Sequence, residues 1–283
     1  MRICPLANQT RLGVPWSQNQ SLRLGRIVKP KLPSLFVTHG APLWLTDPKM
    51  QGLFGAWGQT LGHPKAILVL SAHWYSPQLS LGETKAHEAL VYDFYGFPRE
   101  LYQLQYPAPG AGEWVARIGG LAGGPLPVVE GRGLDHGVWV PLYHLWPKAE
   151  IPVLQLSLPR NATPRDLFGL GQRLAPLREE GVLLVGSGSM THNLGELDWS
   201  NPDQPEPWAA EFDRWVAERL ENWQLEALLD WEAKAPLARK NHPTVEHFLP
   251  LFFAAGAGWG ERVTFPLTGF QFGSLSYRSA QFG

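Results

Sequence analysis

The segment AILVLSAH, residues 66–73, has five consecutive apolar residues, two small residues and then a histidine. An apolar run without alternation is typical of a strand that is covered on both faces in a parallel sheet. The same order of an apolar run, small or polar residues and a histidine recurs in LFVTH at 35–39 and in VLLVGSGSMTH at 182–192. Because ligands in open α/β sheets collect beyond the carboxyl ends of the strands, we expect the three histidines to gather at one edge of a sheet.

The remaining segments predict the helices and strands around these three runs. Helices are predicted over 48–61, 164–179, 206–222, 225–235 and 243–255, and further strands over 153–158, 263–267 and 269–272. Thr163 is predicted to cap the second of these helices and Pro250 to bend the last one, and the final two strands read as a closing hairpin. The order of strands and helices predicts an α/β fold, a single domain with a central, mostly parallel or mixed sheet flanked by helices.

Length and composition limit the classes of partner. The chain has 283 residues, which suits one large domain over residues 31–283. Its formal net charge is -1 and 17% of its residues are charged, so neither a nucleic acid nor an anionic membrane is an expected partner. Cys4 is the only cysteine, which excludes an internal disulfide and fits the reducing cytoplasm. No apolar run reaches the ~20 residues that span a bilayer.

The first 30 residues differ in composition from the rest. They contain four arginines and one lysine but no acidic residue, and they lack the apolar core of a secretory signal. We interpret residues 1–30 as a flexible N-terminal extension. A basic segment without acidic residues also fits an organelle transit peptide, which is the alternative interpretation.

Repeated histidines after strands predict a metal centre, because imidazole is a good ligand for Fe(II) and Zn(II). His39 and His73 are predicted to belong to it, and His192 is predicted to act there as a ligand or as an acid/base group. Three further histidines, at 63, 87 and 144, lie in a turn, a polar stretch and an apolar helix, and we interpret them as structural or surface groups.

A further histidine of interest, His136, lies in the glycine-rich segment GRGLDHG at 131–137. Its glycines would let the backbone pass close to a ligand, and Asp135 could orient His136 or cap a turn. The segment lacks the phosphate-binding patterns of nucleotide sites, so no organic cofactor is predicted.

The segment NHPTVEHF at 241–248 offers two candidates for a third protein ligand, Glu246 and His247. Neighbouring residues of a helix point about 100° apart, so both are not expected to bind one metal. Glu246 would complete a set of two histidines and a carboxylate, which leaves positions open for a bidentate substrate and O2 at iron. His247 would complete an all-imidazole set that also suits zinc. Helix geometry leaves this choice open.

Taken together, the motifs resemble the class III extradiol ring-cleavage dioxygenases, and among them the small single-chain DOPA 4,5-dioxygenase-like branch. The likeness runs from about residue 32 to the C-terminus and rests on THGAP at 38–42, SAHW at 71–74, LDHGVW at 134–139, SGSMTHNL at 187–194 and HPTVEHFLPL at 242–251. The resemblance implies that His39, His73 and His247 hold the metal, that His192 lies at or beside it, and that His136 faces the substrate.

The chemistry that this resemblance implies is insertion of O2 into a catechol ring, with extradiol cleavage to a semialdehyde. Fe(II) is the expected catalytic metal, and Zn(II) is a possible bound metal because it binds such sites more tightly. His136 and His192 are the expected acid/base groups, since imidazole titrates near neutral pH. Trp74, Trp139 and Tyr277 are candidate walls for an aromatic substrate.

Two other functions remain open at the level of sequence. A zinc hydrolase could use the same histidines together with Glu246 to activate water. A metal-storage or metal-sensing protein could also contain several histidines, although glycine-rich and aromatic loops favour an open pocket over a closed metal site.

Overall fold

The computed structural model describes residues 31–283, and the extension interpreted over 1–30 lies outside them. Ten strands are present in the described part: β1 Ser34–Thr38, β2 Ala66–Ser76, β3 Leu90–Val91, β4 Leu134–Asp135, β5 Val153–Pro159, β6 Val182–Gly188, β7 Val263–Leu267, β8 Phe270–Gln271, β9 Leu275–Ser276 and β10 Ser279–Phe282. Six of them form the main sheet in the order β5-β2-β6-β1-β10-β7. Strands β5, β2, β6 and β1 run parallel to one another, and β10 runs antiparallel to both β1 and β7. The predicted single α/β domain with a mixed central sheet is therefore confirmed.

The α-helices of the described part are α1 Pro48–Leu61, α2 Val115–Ala122, α3 His136–Leu145, α4 Pro164–Leu174, α5 Leu177–Glu180, α6 Pro207–Glu221, α7 Leu225–Leu229, α8 Trp231–Lys234, α9 Ala238–Asn241 and α10 Pro250–Ala257. Short 3-10 turns cover Pro42–Thr46, Arg99–Tyr102, Gly112–Trp114 and Leu194–Glu196. Every helix among residues 31–283 falls short of the length and apolarity that a membrane crossing requires.

The parallel strands are buried on both faces, as their unbroken apolar runs predict. In β1, Leu35 and Val37 pack into a core with residues of α1 and α3, whereas Phe36 packs into the opposite core with residues of α4 and α10. Alternate residues of β2 divide between the two cores in the same way. Helices on both faces therefore leave the carboxyl edge of the parallel strands as the place where loops meet.

One predicted helix start is confirmed, and two predicted helices are interrupted. Thr163 caps α4 as predicted, and its side chain and that of Asp166 form a reciprocal capping box. The helix predicted over 164–179 is divided into α4 and α5, because Pro176 cannot donate a backbone hydrogen bond inside a helix. The predicted helix over 225–235 is also divided, at Asp230 between α7 and α8.

Three other local predictions are wrong. The helix predicted over 243–255 begins only at Pro250, which starts α10 instead of bending it, since proline is favoured at a first helical position. The predicted closing hairpin does not form, because β7 pairs with β10 and β8 pairs with β9. Strand β2 continues to Ser76 past a register shift between Leu70 and Tyr75, so His73 lies inside the strand and not after it.

One buried cation ties the two chain ends of the described part to the core. Arg178 in α5 is fully buried and donates to the carbonyl oxygens of Leu32, Ala257 and Phe282. It also forms a bidentate pair with Glu261, at 2.9 and 2.7 Å.

Replacement of Arg178 by Ala is expected to destabilise the protein by about 3–5 kcal/mol, because it removes one donor from three carbonyl groups and leaves the partly buried carboxylate of Glu261 with Lys31 as its remaining partner. Urea unfolding followed by circular dichroism measures this change. The matched control is Arg117→Ala, which removes an arginine paired with Glu180 on the surface and is expected to change little. Equal unfolding midpoints for the two variants would contradict the prediction.

Candidate metal centre

Three imidazoles converge at the carboxyl edge of the parallel strands. His39 follows β1, His73 lies inside β2, and His247 lies in the turns before α10. The Nε2 atom of His73 is 3.0 Å from Nε2 of His39 and 3.3 Å from Nε2 of His247. Three segments that are distant in sequence therefore direct the same ring atom to one point.

The second ring nitrogen of each imidazole is held by an oxygen atom. Nδ1 of His73 faces Asp93 at 3.3 Å, and Nδ1 of His247 faces Glu246 at 3.0 Å. A carboxylate accepts hydrogen bonds, so both Nδ1 atoms carry the proton and both Nε2 atoms carry a lone pair. Nδ1 of His39 is 3.0 Å from the Ser187 hydroxyl, whose own proton is donated to the carbonyl oxygen of Gly137. Ser187 therefore accepts from His39, and His39 has the same tautomer as the other two.

Three lone pairs pointed at one another repel unless a cation lies between them. Outer hydrogen bonds of this kind are the usual way in which a protein fixes metal-binding histidines. The donor set present here therefore fits a divalent metal.

Burial keeps these imidazoles neutral. It lowers the pKa of His39 and of His247 well below the ordinary value, and it lowers the pKa of His73 to about 3; neighbouring histidines add to the effect in each case. Neutral imidazole is the form that binds a metal.

His136 lies beside the three rings, with its centroid 4.0 Å from that of His73. Asp93 links the two residues: one carboxylate oxygen accepts from Nδ1 of His136 at 2.8 Å and from its backbone N–H at 3.1 Å, and the other faces His73. Burial raises the pKa of Asp93, but its contacts with His136 and His73 outweigh burial, so the pKa lies below its usual value. Sequence analysis missed Asp93; the available signal was an acidic residue inside the aromatic segment VYDFYGFP at 91–98.

Asp135 does neither of the two things considered for it. Its carboxylate is completely buried, makes no side-chain cap to α3, and accepts instead from the Ser71 hydroxyl and the Gln155 amide. Burial raises the pKa of Asp135. Because Ser71 also accepts from the backbone N–H of His73, Asp135 supports the strand beneath the centre and Asp93 is the residue that orients His136.

His192 stacks on His247, with ring centroids 3.5 Å apart and planes inclined by only 8°. Burial lowers the pKa of His192 to about 4. Glu246 lies on the Nδ1 side of His247, where it also accepts from the Thr244 hydroxyl. Two further groups of side chains overlap this centre and have metal-ligating atoms within 4.8 Å of one another. One group is His39, His73 and His136, and the other is His192, Glu246 and His247.

A cavity of about 820 Å³ opens beside the histidines. Tyr277 lines it as predicted, and so does Trp44, which sequence analysis did not select. The prediction that Trp139 and Trp74 are walls of the cavity is wrong. Trp139 is fully buried in the core, and Trp74 packs against the guanidinium of Arg132. The three histidines interpreted as structural or surface groups lie away from this cavity: His63 pairs with Glu150, His87 contacts the carbonyl oxygen of Val153, and His144 stacks on Phe54.

Known proteins resemble this chain over most of its length. Residues 37–283 match the family described as the catalytic LigB subunit of aromatic ring-opening dioxygenase. The chain is 40% identical over 258 residues to a 4,5-DOPA dioxygenase extradiol of Beta vulgaris, with 88% of this chain and 96% of the relative covered. It is 38% identical over 264 residues to the protein of the same name from Escherichia coli K12, with 89% and 95% covered.

A solved structure agrees with the fold. The crystal structure of an uncharacterized protein from Escherichia coli K12 superposes with a TM-score of 0.76 at 34% identity, covering 89% of this chain and all of that one. These likenesses support ring cleavage and give the zinc-hydrolase alternative no support. The chain therefore belongs to the LigB family of aromatic ring-opening dioxygenases, in the branch of the extradiol DOPA dioxygenases.

Proposed function

We propose that His39, His73 and His247 bind a divalent metal, Fe(II) in the active enzyme, and that the cavity beside them holds a catechol for cleavage by O2. The observation that carries this proposal is the convergence of three imidazoles, in which Nε2 of His73 is 3.0 Å from Nε2 of His39 and 3.3 Å from Nε2 of His247. The bound metal would supply a point where the substrate oxygens and O2 meet. Zn(II) can bind the same three imidazoles, so zinc in a purified sample is compatible with iron chemistry.

Of the two candidates for the third ligand, His247 is favoured. Glu246 contacts Nδ1 of His247, on the side of the ring opposite to the converging Nε2 atoms. Its proposed role is to hold the His247 tautomer, as Asp93 does for His73.

His192 is proposed to move protons beside the metal, without binding it. A nitrogen lone pair lies in the plane of its ring, and the His192 plane is parallel to that of His247 and displaced from it by the stacking distance. The two rings therefore do not direct lone pairs at one point. His192 can accept the proton of a substrate hydroxyl and return it later in the reaction.

His136 is proposed to bind a substrate oxygen. Its Nδ1–H is donated to Asp93, which leaves Nε2 as an acceptor at the cavity that the ring lines. The orientation is fixed by two bonds to the same carboxylate oxygen, so His136 is already positioned before substrate binds.

The open cavity argues against a metal-storage role, because a closed metal site needs no space for a ligand of this size. A reducing compartment such as the cytoplasm is the proposed location, since Cys4 is the only cysteine and Fe(II) is readily oxidised.

The test is O2 uptake by protein loaded with Fe(II) under anaerobic conditions and then mixed with a panel of catechols in air. Uptake of one O2 per catechol, with growth of the visible band of a semialdehyde, is the expected result. Hydrolysis of esters or amides by zinc-loaded protein, with iron-loaded protein inert toward the whole panel, would overturn the proposal.

The substitution Asp93→Asn is expected to weaken metal binding by about 10–100-fold, the usual cost of losing an outer partner of a metal ligand. An asparagine oxygen can still accept from His136, but its amide group would then oppose the Nδ1–H of His73. Competition with a chromogenic chelator measures metal affinity without turnover. The matched control is Asp230→Asn, an exposed aspartate near Lys234, which is expected to leave affinity unchanged. Equal affinities of the two variants would remove Asp93 from the proposed centre.

A further inference from the structure

We propose that His242 is a positioning residue for His192: it anchors the loop that carries His192 and so keeps that ring in one orientation toward the substrate. This inference rests on the proposed function, because it specifies how the proposed proton-transfer group is held. His242 opens the HPTVEHFLPL motif at 242–251, yet it is completely buried and is not one of the three converging imidazoles.

The loop that carries His192 spans residues 189–193, between the end of β6 and the 3-10 turn Leu194–Glu196. We call it the His192 loop. Three hydrogen bonds join it to residues 240–247: the Ser189 N–H donates to the His247 carbonyl oxygen at 2.8 Å, the His192 N–H to that of Asn241 at 3.0 Å, and the Asn193 side-chain amide to that of Lys240 at 2.7 Å. The orientation of His192 therefore depends on the segment that contains His242.

His242 adds a fourth bond between these two segments. Its Nε2 is 3.0 Å from the carbonyl oxygen of Met190, which lies two residues before His192. Burial lowers the pKa of His242 to about 3, so the ring is neutral near neutral pH. A neutral imidazole has one N–H and a carbonyl oxygen only accepts, so this proton is on Nε2 and is donated to Met190.

Three aromatic rings enclose His242. The ring centroids of Phe212, Trp231 and Phe248 are 5.4, 5.6 and 4.9 Å from its own. Packing this close leaves the imidazole one orientation. Burial of a polar ring among apolar ones costs free energy unless the ring is hydrogen-bonded, whereas a phenylalanine in the same space would carry no such cost. The bond to the His192 loop is therefore the feature that an apolar residue could not supply here.

Thr191 holds the His192 loop on its other side. Its hydroxyl donates to the carbonyl oxygen of Ser274 at 2.8 Å and accepts from the backbone N–H of Ser276 at 2.6 Å. Loss of the His242 bond is therefore expected to let the loop shift while it remains attached to the protein.

A shift of the His192 loop would move His192 relative to the metal-binding imidazoles. His192 stacks on His247 with ring centroids 3.5 Å apart, and stacked rings are free to slide past each other. His247 is held separately, through its Nδ1, by Glu246. A group displaced by about 1 Å from its reacting position can slow a reaction by about hundredfold. Loss of the His242 bond should therefore slow turnover and leave the metal in place.

The first experiment measures kcat, KM and metal content of the iron-loaded full-length chain with His242→Phe, on a catechol that the parent cleaves. We expect kcat to fall by about 10–100-fold, with KM and metal content retained. His242→Gln is expected to recover most of the lost rate, because its amide can donate to the Met190 carbonyl oxygen.

The matched control for this experiment is His87→Phe. His87 is also buried, and its Nε2 also donates to a carbonyl oxygen, that of Val153 at 3.0 Å, so the same bond is lost away from the cavity. This variant is expected to keep the parent kcat. A parent-like kcat in His242→Phe, an equal fall in His87→Phe, or loss of metal from His242→Phe would overturn the inference.

A double-mutant cycle tests whether His242 acts through His192. In a protein that already carries His192→Ala, the further change His242→Phe is expected to alter the single-turnover rate by less than about twofold, because residues that act as a unit are not additive. A merely structural role of His242 would lower the rate by the same factor in both backgrounds, and that result would overturn the inference.

A last measurement does not depend on turnover. Backbone hydrogen exchange of the zinc-loaded full-length chain is followed by mass spectrometry on peptides that cover the His192 loop and β6. In His242→Phe the loop is expected to exchange about tenfold faster while β6 exchanges as in the parent, since local opening is separable from global unfolding. Unchanged exchange in the loop, or equally faster exchange in β6, would overturn the inference. Faster exchange in the loop alone, in a protein that cleaves no catechol, would support the anchoring by His242 and contradict the proposed function.

Discussion

Replacement of His73 by Ala is expected to lower metal affinity by more than about hundredfold and to abolish turnover. Loss of an outer partner of a ligand already lowers metal affinity by about 10–100-fold. His73 is itself a proposed ligand, and its Nε2 is close to the Nε2 atoms of both His39 and His247. The fold is expected to survive, because the His73 side chain lines the cavity and is partly exposed. The melting temperature of the metal-free variant should equal or exceed that of the metal-free parent, since one of three repelling lone pairs is gone.

Metal content after loading with Fe(II) or Zn(II), together with thermal melting in the presence of a chelator, measures both parts of this expectation. The control is His63→Ala, which removes an exposed histidine near Glu150 and should change neither metal content nor turnover. One metal ion per chain and full activity in the His73→Ala protein would show that the metal lies elsewhere.

Replacement of His192 by Ala is expected to leave the metal in place and to slow turnover by about 10²–10⁴-fold, the usual contribution of a general acid or base. The expectation follows from the parallel stacking on His247, which places the His192 nitrogens outside the set of converging lone pairs. Metal content and the single-turnover rate of O2 consumption are the two readouts.

The variant His192→Phe separates stacking from proton transfer, because a phenyl ring can stack on His247 but carries no proton. It is expected to retain metal as the parent does and to be as slow as His192→Ala. If both variants lost their metal together with their activity, His192 would be a ligand. If His192→Phe recovered the parent rate, stacking and not proton transfer would be its contribution.

The strands that build the site could be predicted from local pattern, and the contacts that tune it could not. The unbroken apolar runs before His39 and His192 have one reasonable interpretation, a strand covered on both faces, and both strands are present. Asp93 lies 43 residues from His136 in the chain, and nothing in its neighbourhood shows which side chain it will meet. The direction of Glu246 likewise depends on the turns before α10, where the sequence predicted a helix.

The tail shows the same limit at the level of strands. Residues 263–272 have the composition of a local hairpin, yet β7 pairs with β10, and the β8–β9 pair lies between these two strands in the chain. Strand β10 also pairs with β1. Such a pairing partner is determined by the unpaired backbone N–H and C=O groups at the edge of a sheet. That edge exists only after the other strands have assembled.

By itself, the sequence determined the α/β class, the two-sided burial of the parallel strands and the presence of imidazoles near the ends of their apolar runs, because apolar periodicity is a local property. Only the tertiary structure decided which nitrogen of each imidazole points at its neighbours, which carboxylate holds each ring and which side chains line the cavity. These choices depend on distances between segments far apart in the chain, and such distances are fixed by packing.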